Sequence, residues 1–71
     1  MPHEEDFWRV IQKFVDKLPE ELRIAFLLHE KENLSYQAIG EKLGYPKEKI
    51  KARVFIARRI IRQFLERKSN K

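Results

Sequence analysis

Cysteine is absent from this chain, which excludes disulfide bonds and thiolate-bound metals and is compatible with a reducing compartment. Glycine is scarce, with two residues among 71, and no glycine-rich phosphate-binding loop occurs. Long hydrophobic runs are also missing, because the longest apolar segment, Ile24–Leu28, is far shorter than a membrane span. The first seven residues are acidic and no apolar segment follows them, unlike a secretory signal. We therefore expect a cytoplasmic protein of one small domain, residues 1–71, without membrane insertion.

The charge of the chain is distributed unevenly. A net charge of +5 arises from 16 Lys/Arg and 11 Asp/Glu. Residues 1–34 hold five basic and eight acidic residues, a balance of −3, whereas residues 35–71 hold eleven basic and three acidic residues, a balance of +8. A basic half of this kind is typical of a nucleic-acid-binding surface. The alternative is that a lysine-rich helix only keeps a small protein soluble.

Apolar spacing predicts an all-α domain of four helices without strands. The expected helices cover about residues 5–16, 19–30, 36–43 and 47–66. The apolar stripe expected on the first helix is Phe7, Val10, Ile11, Phe14 and Leu18. We expect residues 1–5 to be loose and the polar tail, residues 67–71, to be disordered.

The segment Ser35–Arg59 predicts a helix-turn-helix with a long basic second helix. Ser35 is a good N-cap for the third helix of the chain. Small Gly40 permits a close helix crossing, and Gly44 suits a turn that needs a positive φ. Apolar Ile50 would then anchor the fourth helix against the third. The second helix of such a motif is shaped to enter the DNA major groove.

The fourth helix can be divided into faces at 100° per residue. Its predicted core stripe is Ile50, Val54, Ala57, Ile61, Phe64 and Leu65. The opposite, exposed face is predicted to carry Glu48, Ala52, Phe55, Ile56, Arg59 and Gln63. The cations that flank this face are Lys51, Arg58 and Arg62 on one side and Lys49 and Arg53 on the other. This arrangement suits a recognition helix, because flanking cations reach phosphates while the middle of the face approaches base edges.

The residue types on the exposed face match particular groups of DNA. Ala52 and Phe55 suit thymine methyl groups. Lys51 or Arg53 suits guanine or phosphate. Phe55 and Ile56 have an alternative interpretation, which is packing against the chain termini or a second copy. For any single lysine, simple solvation is the competing role.

The second helix is apolar on two sides, so it is either central in the core or partly exposed to a partner. One side comprises Leu22, Ala25, Phe26 and His29. The other side, which we predict to bind a protein partner, comprises Ile24, Leu27 and Leu28. His29 is expected to be a packed histidine at the edge of the core.

An enzyme is not expected. His3 and His29 are the only histidines, and no carboxylate pair is placed to converge with them. We likewise expect no cofactor, no metal site and no small-molecule substrate.

Three linked motifs resemble region 4 of bacterial sigma factors, and most nearly the extracytoplasmic-function group. The motifs are LPEELR at Leu18–Arg23, LSYQAIGEKLGYP at Leu34–Pro46, and IKARV at Ile50–Val54 with Ala57 and Arg58 after it. The resemblance extends over about residues 5–66. It implies a domain that binds the promoter −35 element as a helix-turn-helix. It also implies docking on the β-subunit flap of RNA polymerase, and sequestration by an anti-sigma factor as a further interaction.

The resemblance also implies roles for individual residues. Lys51, Ala52 and Phe55 match positions that face the −35 bases in the family. Arg53 and Arg58 match basic positions assigned to the DNA backbone. The full set that we predict to bind DNA is Ser35, Tyr36, Lys47, Lys49, Lys51, Ala52, Arg53, Phe55, Arg58 and Arg59.

Some positions depart from the family pattern. Members usually have Gly-Thr where this chain has Glu48 and Lys49, and often Arg where it has Ile56. Because Glu48 would repel phosphates, we expect an unusual promoter sequence or an unusual affinity. Gly40 replaces the commoner alanine, at a cost of about 1 kcal/mol in helix propensity, but it fits the same tight crossing.

These features predict sequence-specific DNA binding in transcription initiation, in a bacterial, nucleoid-associated protein. The chain carries no counterpart of the other sigma regions. It is therefore either a domain excised from a longer protein, which we favour, or a stand-alone sigma-like regulator. A two-component-type helix-turn-helix regulator is a further alternative, against which the Leu18–Arg23 motif and Ala57–Arg59 argue. A protein-interaction module without DNA binding is the last alternative.

Overall fold

A computed structural model describes residues 4–69 of the chain, with side chains described for residues 6–67. It contains the four helices α1 Glu4–Val15, α2 Glu20–Glu30, α3 Tyr36–Leu43 and α4 Lys47–Ser69, and no strand within that range. The all-α prediction is therefore confirmed, with most helix ends within a residue of those expected.

The two ends of the chain differ from the prediction. Helix α1 already begins at Glu4, whereas residues 1–5 were expected to be loose. Helix α4 continues through Ser69, so the disordered tail predicted from residue 67 is wrong for residues 67–69. No glycine or proline follows Pro46, so nothing in the sequence breaks the helix there. Residues 1–3 and 70–71 lie outside the described part of the chain.

Local interactions define where the central helices begin. Pro19 precedes α2 with an extended ψ of 148°, and the Arg23 guanidinium donates to the carbonyl of Leu18 at 3.1 Å. Ser35 caps α3, since its hydroxyl oxygen accepts a hydrogen bond from the Ala38 amide at 3.0 Å. The N-cap prediction is confirmed.

The core consists of two clusters, and α4 contributes to both. The first joins α1, α2 and the later part of α4 through Ile11, Phe14, Val15, Leu18, Phe26, Ala57 and Ile61. The second joins α2, α3 and the first half of α4 through Ala25, Ile39, Ile50 and Val54. Helix α4 is therefore the common support of the domain, and its predicted core stripe is confirmed from Ile50 to Ile61.

The orientation of α1 is a correction to the predicted stripe. Phe7 and Val10 are 54% and 53% exposed, while Val15 is completely buried and Trp8 packs against the first cluster. The apolar residues of α1 occupy more than one face, so their spacing alone did not define which face meets α2 and α4. Near the end of α4, Leu65 is 37% exposed, also unlike the prediction.

Candidate nucleic-acid interface

The turn between α3 and α4 is held in a close arrangement by two glycines. A Cβ atom placed on Gly40 would lie 2.4 Å from the carbonyl oxygen of Tyr45, which is too close for any side chain without a backbone shift. Gly44 has a φ of 84°, in the left-handed region that glycine adopts without strain. The amides of Gly44 and Tyr45 both donate to the carbonyl of Gly40, at 2.8 and 2.9 Å. The predicted roles of both glycines are confirmed.

Buried aliphatic side chains then fix α4 against α3. Ile39 of α3 and Ile50 and Val54 of α4 are all completely buried. Because these residues lie on the inner side of α4, the side 180° away faces outward for the first three turns of the helix. This is the geometry that presents a helix to the major groove in helix-turn-helix proteins.

The outward side of α4 carries the residues that helical spacing predicted. Ala52, Phe55, Ile56 and Arg59 are exposed, Phe55 by 63% and Ile56 by 45%. Glu48 and Lys51 border the same shallow depression as Ala52, Phe55 and Ile56. We call the residues that line this depression, Glu48, Lys51, Ala52, Phe55 and Ile56, the outer face of α4. Their contact with DNA stays a prediction.

One flank of the outer face is organised by an aromatic ring that the sequence analysis did not assign to the site. The Lys49 Nζ lies 5.2 Å, and the Arg53 Cζ 4.4 Å, from the centre of the Tyr45 ring. Both distances are within the range of cation–π attraction. Arg53 is half-buried and borders a cleft with Glu20 and Glu21 at the start of α2. Arg53 is therefore held at the side of the motif, whereas Lys49 is exposed.

On the opposite flank, Arg58 forms an ion pair that the sequence did not predict. Both Nε and Nη2 of Arg58 contact one carboxylate oxygen of Glu30, so this side chain joins α4 to the last residue of α2. Residues 28 positions apart form the pair, and sequence spacing gives no sign of it. The ion pair occupies Nε and Nη2 of Arg58 and restrains the direction in which its guanidinium points.

The remaining predicted DNA-binding residues occupy the two ends of the motif. Ser35 is exposed and serves as the cap of α3, and Lys47 is exposed at the first position of α4. Tyr36 is half-buried and stacks on His29, with ring centres 4.3 Å apart. The Nδ1 atom of His29 lies 2.8 Å from the carbonyl oxygen of Leu34. The prediction of a packed histidine at the core edge is confirmed.

The residues that we predicted to bind a protein partner do not form one exposed patch. Leu27 is half-buried against the first core cluster, and Leu28 is half-buried against the second. Ile24 is exposed by 36% and borders the cleft beside Arg53. The apolar residues on the two sides of α2 are explained mainly by the central position of this helix in the core.

A different apolar surface lies between α1, α2 and α4, and the sequence analysis missed it. We call it the aromatic groove. Its lining residues are Phe7, Trp8, Ile11, Phe26, Glu30, Arg58, Ile61, Arg62 and Leu65. The Trp8 ring makes edge contacts with Phe7 and Phe26, at centre distances of 5.6 and 6.1 Å. The consecutive aromatic residues at positions 7 and 8 were a signal, because they cannot both face the core of one helix.

Among the side chains of residues 6–67, no group of three or more His, Asp or Glu could hold a metal ion. No helix within residues 4–69 is long and apolar enough to cross a membrane.

The fold and the outer face of α4 define a helix-turn-helix domain. Comparison with known families narrows the class, because the family described as sigma-70, region 4 matches residues 8–61. This match covers most of the chain, and the chain belongs to that family.

Several curated relatives are ECF RNA polymerase sigma-E factors. The protein from Haemophilus influenzae is 38% identical over 53 residues, which cover 75% of this chain and 28% of the relative. The proteins from Escherichia coli and Salmonella typhimurium are each 33% identical over 57 residues, or 80% of this chain and 30% of the relative. The chain thus spans less than a third of the length of these relatives. No solved structure matches it.

Proposed function

We propose that this domain recognises the promoter −35 element in transcription initiation, as the DNA-binding part of an RNA polymerase sigma factor. The observation that carries the proposal is the outer face of α4. It is exposed, lies opposite the side packed on α3, and is bordered by cations, as a major-groove helix requires. Family membership and the names of the relatives support the same function. A function in the bacterial cytoplasm, at the nucleoid, follows from it.

The contacts divide into two groups within this proposal. Lys51, Ala52 and Phe55 approach base edges, since they lie on the outer face itself. Lys47, Lys49 and Arg59 are exposed cations around it and contact phosphates. Arg53 reaches the backbone from the side of the motif, where the Tyr45 ring restrains it. Ser35 and Tyr36 lie at the start of α3, where a strand of the duplex passes the motif.

Binding to promoter duplexes tests the proposal. A labelled −35-type duplex and a scrambled duplex are titrated by fluorescence anisotropy at 50 and 200 mM salt. With four phosphate contacts, the affinity for either duplex is expected to fall by about 100-fold over this range. The −35-type duplex should bind more tightly at both concentrations. Equal and weak binding of both duplexes would favour a protein-interaction module instead.

We further propose that the aromatic groove binds RNA polymerase through the β-subunit flap. The supporting observation is the exposed apolar surface of Phe7 and Leu65 at the groove, away from the outer face of α4. An anti-sigma factor would compete for the same surface. A pull-down with a β-flap fragment tests this proposal. Phe7→Ala should reduce capture of the fragment, and Phe55→Ala, a matched exposed phenylalanine on α4, should not.

A further inference from the structure

The outer face of α4 contains an apolar ridge whose composition restricts what it can contact. Phe55 and Ile56 follow Ala52 by three and four residues, so the two large side chains stand side by side one turn beyond the small one. Both are largely exposed, by 63% and 45%. Ile56 has no hydrogen-bonding group, so it can bind neither a phosphate nor a polar base edge.

The charges around the ridge, which is formed by Phe55 and Ile56, indicate which kind of molecule binds to it. Lys51 borders it, and three further cations of the same part of α4 are exposed, namely Lys47, Lys49 and Arg59. Glu48 is the single acidic residue among those that line it. A second copy of the chain on this ridge would bring like charges together, which is unfavourable. A polyanion that presents apolar groups fits both features. In duplex DNA the apolar group of the major groove is the C5 methyl of thymine.

We propose that Phe55 and Ile56 together read thymine methyl groups, so that Ile56 is a specificity-determining residue of this domain. The inference rests on the DNA binding proposed above. Phe55 and Ile56 are 100° apart around the helix axis and 1.5 Å apart along it. They therefore point to different bases, and each selects a thymine of its own.

Replacement of thymine by deoxyuridine tests the inference, because it removes only the methyl group. Duplexes that the chain prefers are first selected from a random pool at low salt. Each thymine of the selected site is then replaced singly, and affinities are measured by anisotropy. We expect the replacement to weaken binding about fourfold at each thymine that faces the ridge, which corresponds to one buried methyl group.

Variants of the chain show which side chain contacts which thymine methyl group. Ile56→Ala should abolish the deoxyuridine effect at one thymine, and Phe55→Ala should abolish it at another. Ile56→Gln, which replaces the apolar end of the side chain by a polar amide, should act as Ile56→Ala does. Val10→Ala is the matched control, since Val10 is a β-branched residue exposed by 53% on α1. It should retain every deoxyuridine effect.

The outcomes separate this inference from the proposed function. If a preferred sequence is selected but no thymine is sensitive to its methyl group, the inference is overturned and sequence-specific binding stands. The same holds if Ile56→Ala and Ile56→Gln retain all the deoxyuridine effects. If the selection enriches no sequence, the proposed function and the inference fail together.

Discussion

Replacing Arg58 by alanine tests whether this residue stabilises the domain or binds DNA. Arg58 contacts Glu30 across the junction of α2 and α4, with 42% and 27% of the two side chains exposed. A partly exposed ion pair contributes up to about 1 kcal/mol. The aliphatic part of Arg58 also borders the aromatic groove, and its packing adds to that figure. We expect Arg58→Ala to lose about 1 kcal/mol of unfolding free energy, or about 4–8 °C in melting temperature for a domain of this size.

Thermal unfolding by circular dichroism measures the loss, and two variants locate its origin. Glu30→Gln should reduce the melting temperature by a smaller amount, because it removes the ion pair and leaves the packing of Arg58 in place. The double variant should lose less than the sum of the single variants, because the two side chains share one interaction. Arg62→Ala is the control, since Arg62 is an exposed cation of the same flank with no ion pair among the described residues. Its melting temperature should fall less than that of Arg58→Ala, because Arg62→Ala loses packing at the groove but no ion pair.

The salt dependence of DNA binding gives the second part of this test. A phosphate contact contributes a slope of about −0.9 to a plot of log affinity against log salt concentration. Arg59→Ala should therefore flatten the slope by about 0.9. Arg58→Ala should flatten the slope less than Arg59→Ala does, since Nε and Nη2 of Arg58 already contact Glu30. The reasoning is refuted if Arg58→Ala flattens the slope as much as Arg59→Ala and has the melting temperature of the unmodified chain.

Three further substitutions test other parts of the structure. Gly40→Ala gains about 1 kcal/mol of helix propensity but forces the Tyr45 carbonyl away. Overpacking of this kind costs about 1–3 kcal/mol, so we expect a lower melting temperature, and a higher one would contradict the close approach. Ser35→Ala should cost about 1 kcal/mol through loss of the cap, and Ser35→Asp should restore most of it. Phe55→Ala should leave the melting temperature unchanged, because the ring is 63% exposed, and should weaken binding to the −35-type duplex.

The helices and the outer face of α4 could be predicted because they depend on neighbours along the chain. Ser35 caps a helix three residues away, Gly44 needs only its own φ, and the faces of α4 follow from its period. The ion pair between Arg58 and Glu30 and the orientation of Trp8 could not be predicted in this way. Both depend on how separate helices meet, and Glu30 is 28 residues from Arg58. The functional assignment of the outer face came from the family resemblance as much as from its chemistry.

The uninterrupted course of α4 has a consequence for how two partners would be positioned on this small domain. Phe55 of the outer face and Leu65 of the aromatic groove lie on the same helix, ten residues or about 15 Å apart along its axis. No hinge separates them, so under the proposed function α4 would set both the distance and the angle between the DNA and a protein in the groove. Inserting a single alanine between Ala57 and Ile61 would turn Leu65 by about 100° relative to Phe55, and would also displace Ile61 from the first core cluster. The mutual orientation of promoter and polymerase would thus be encoded in the residue count of one helix.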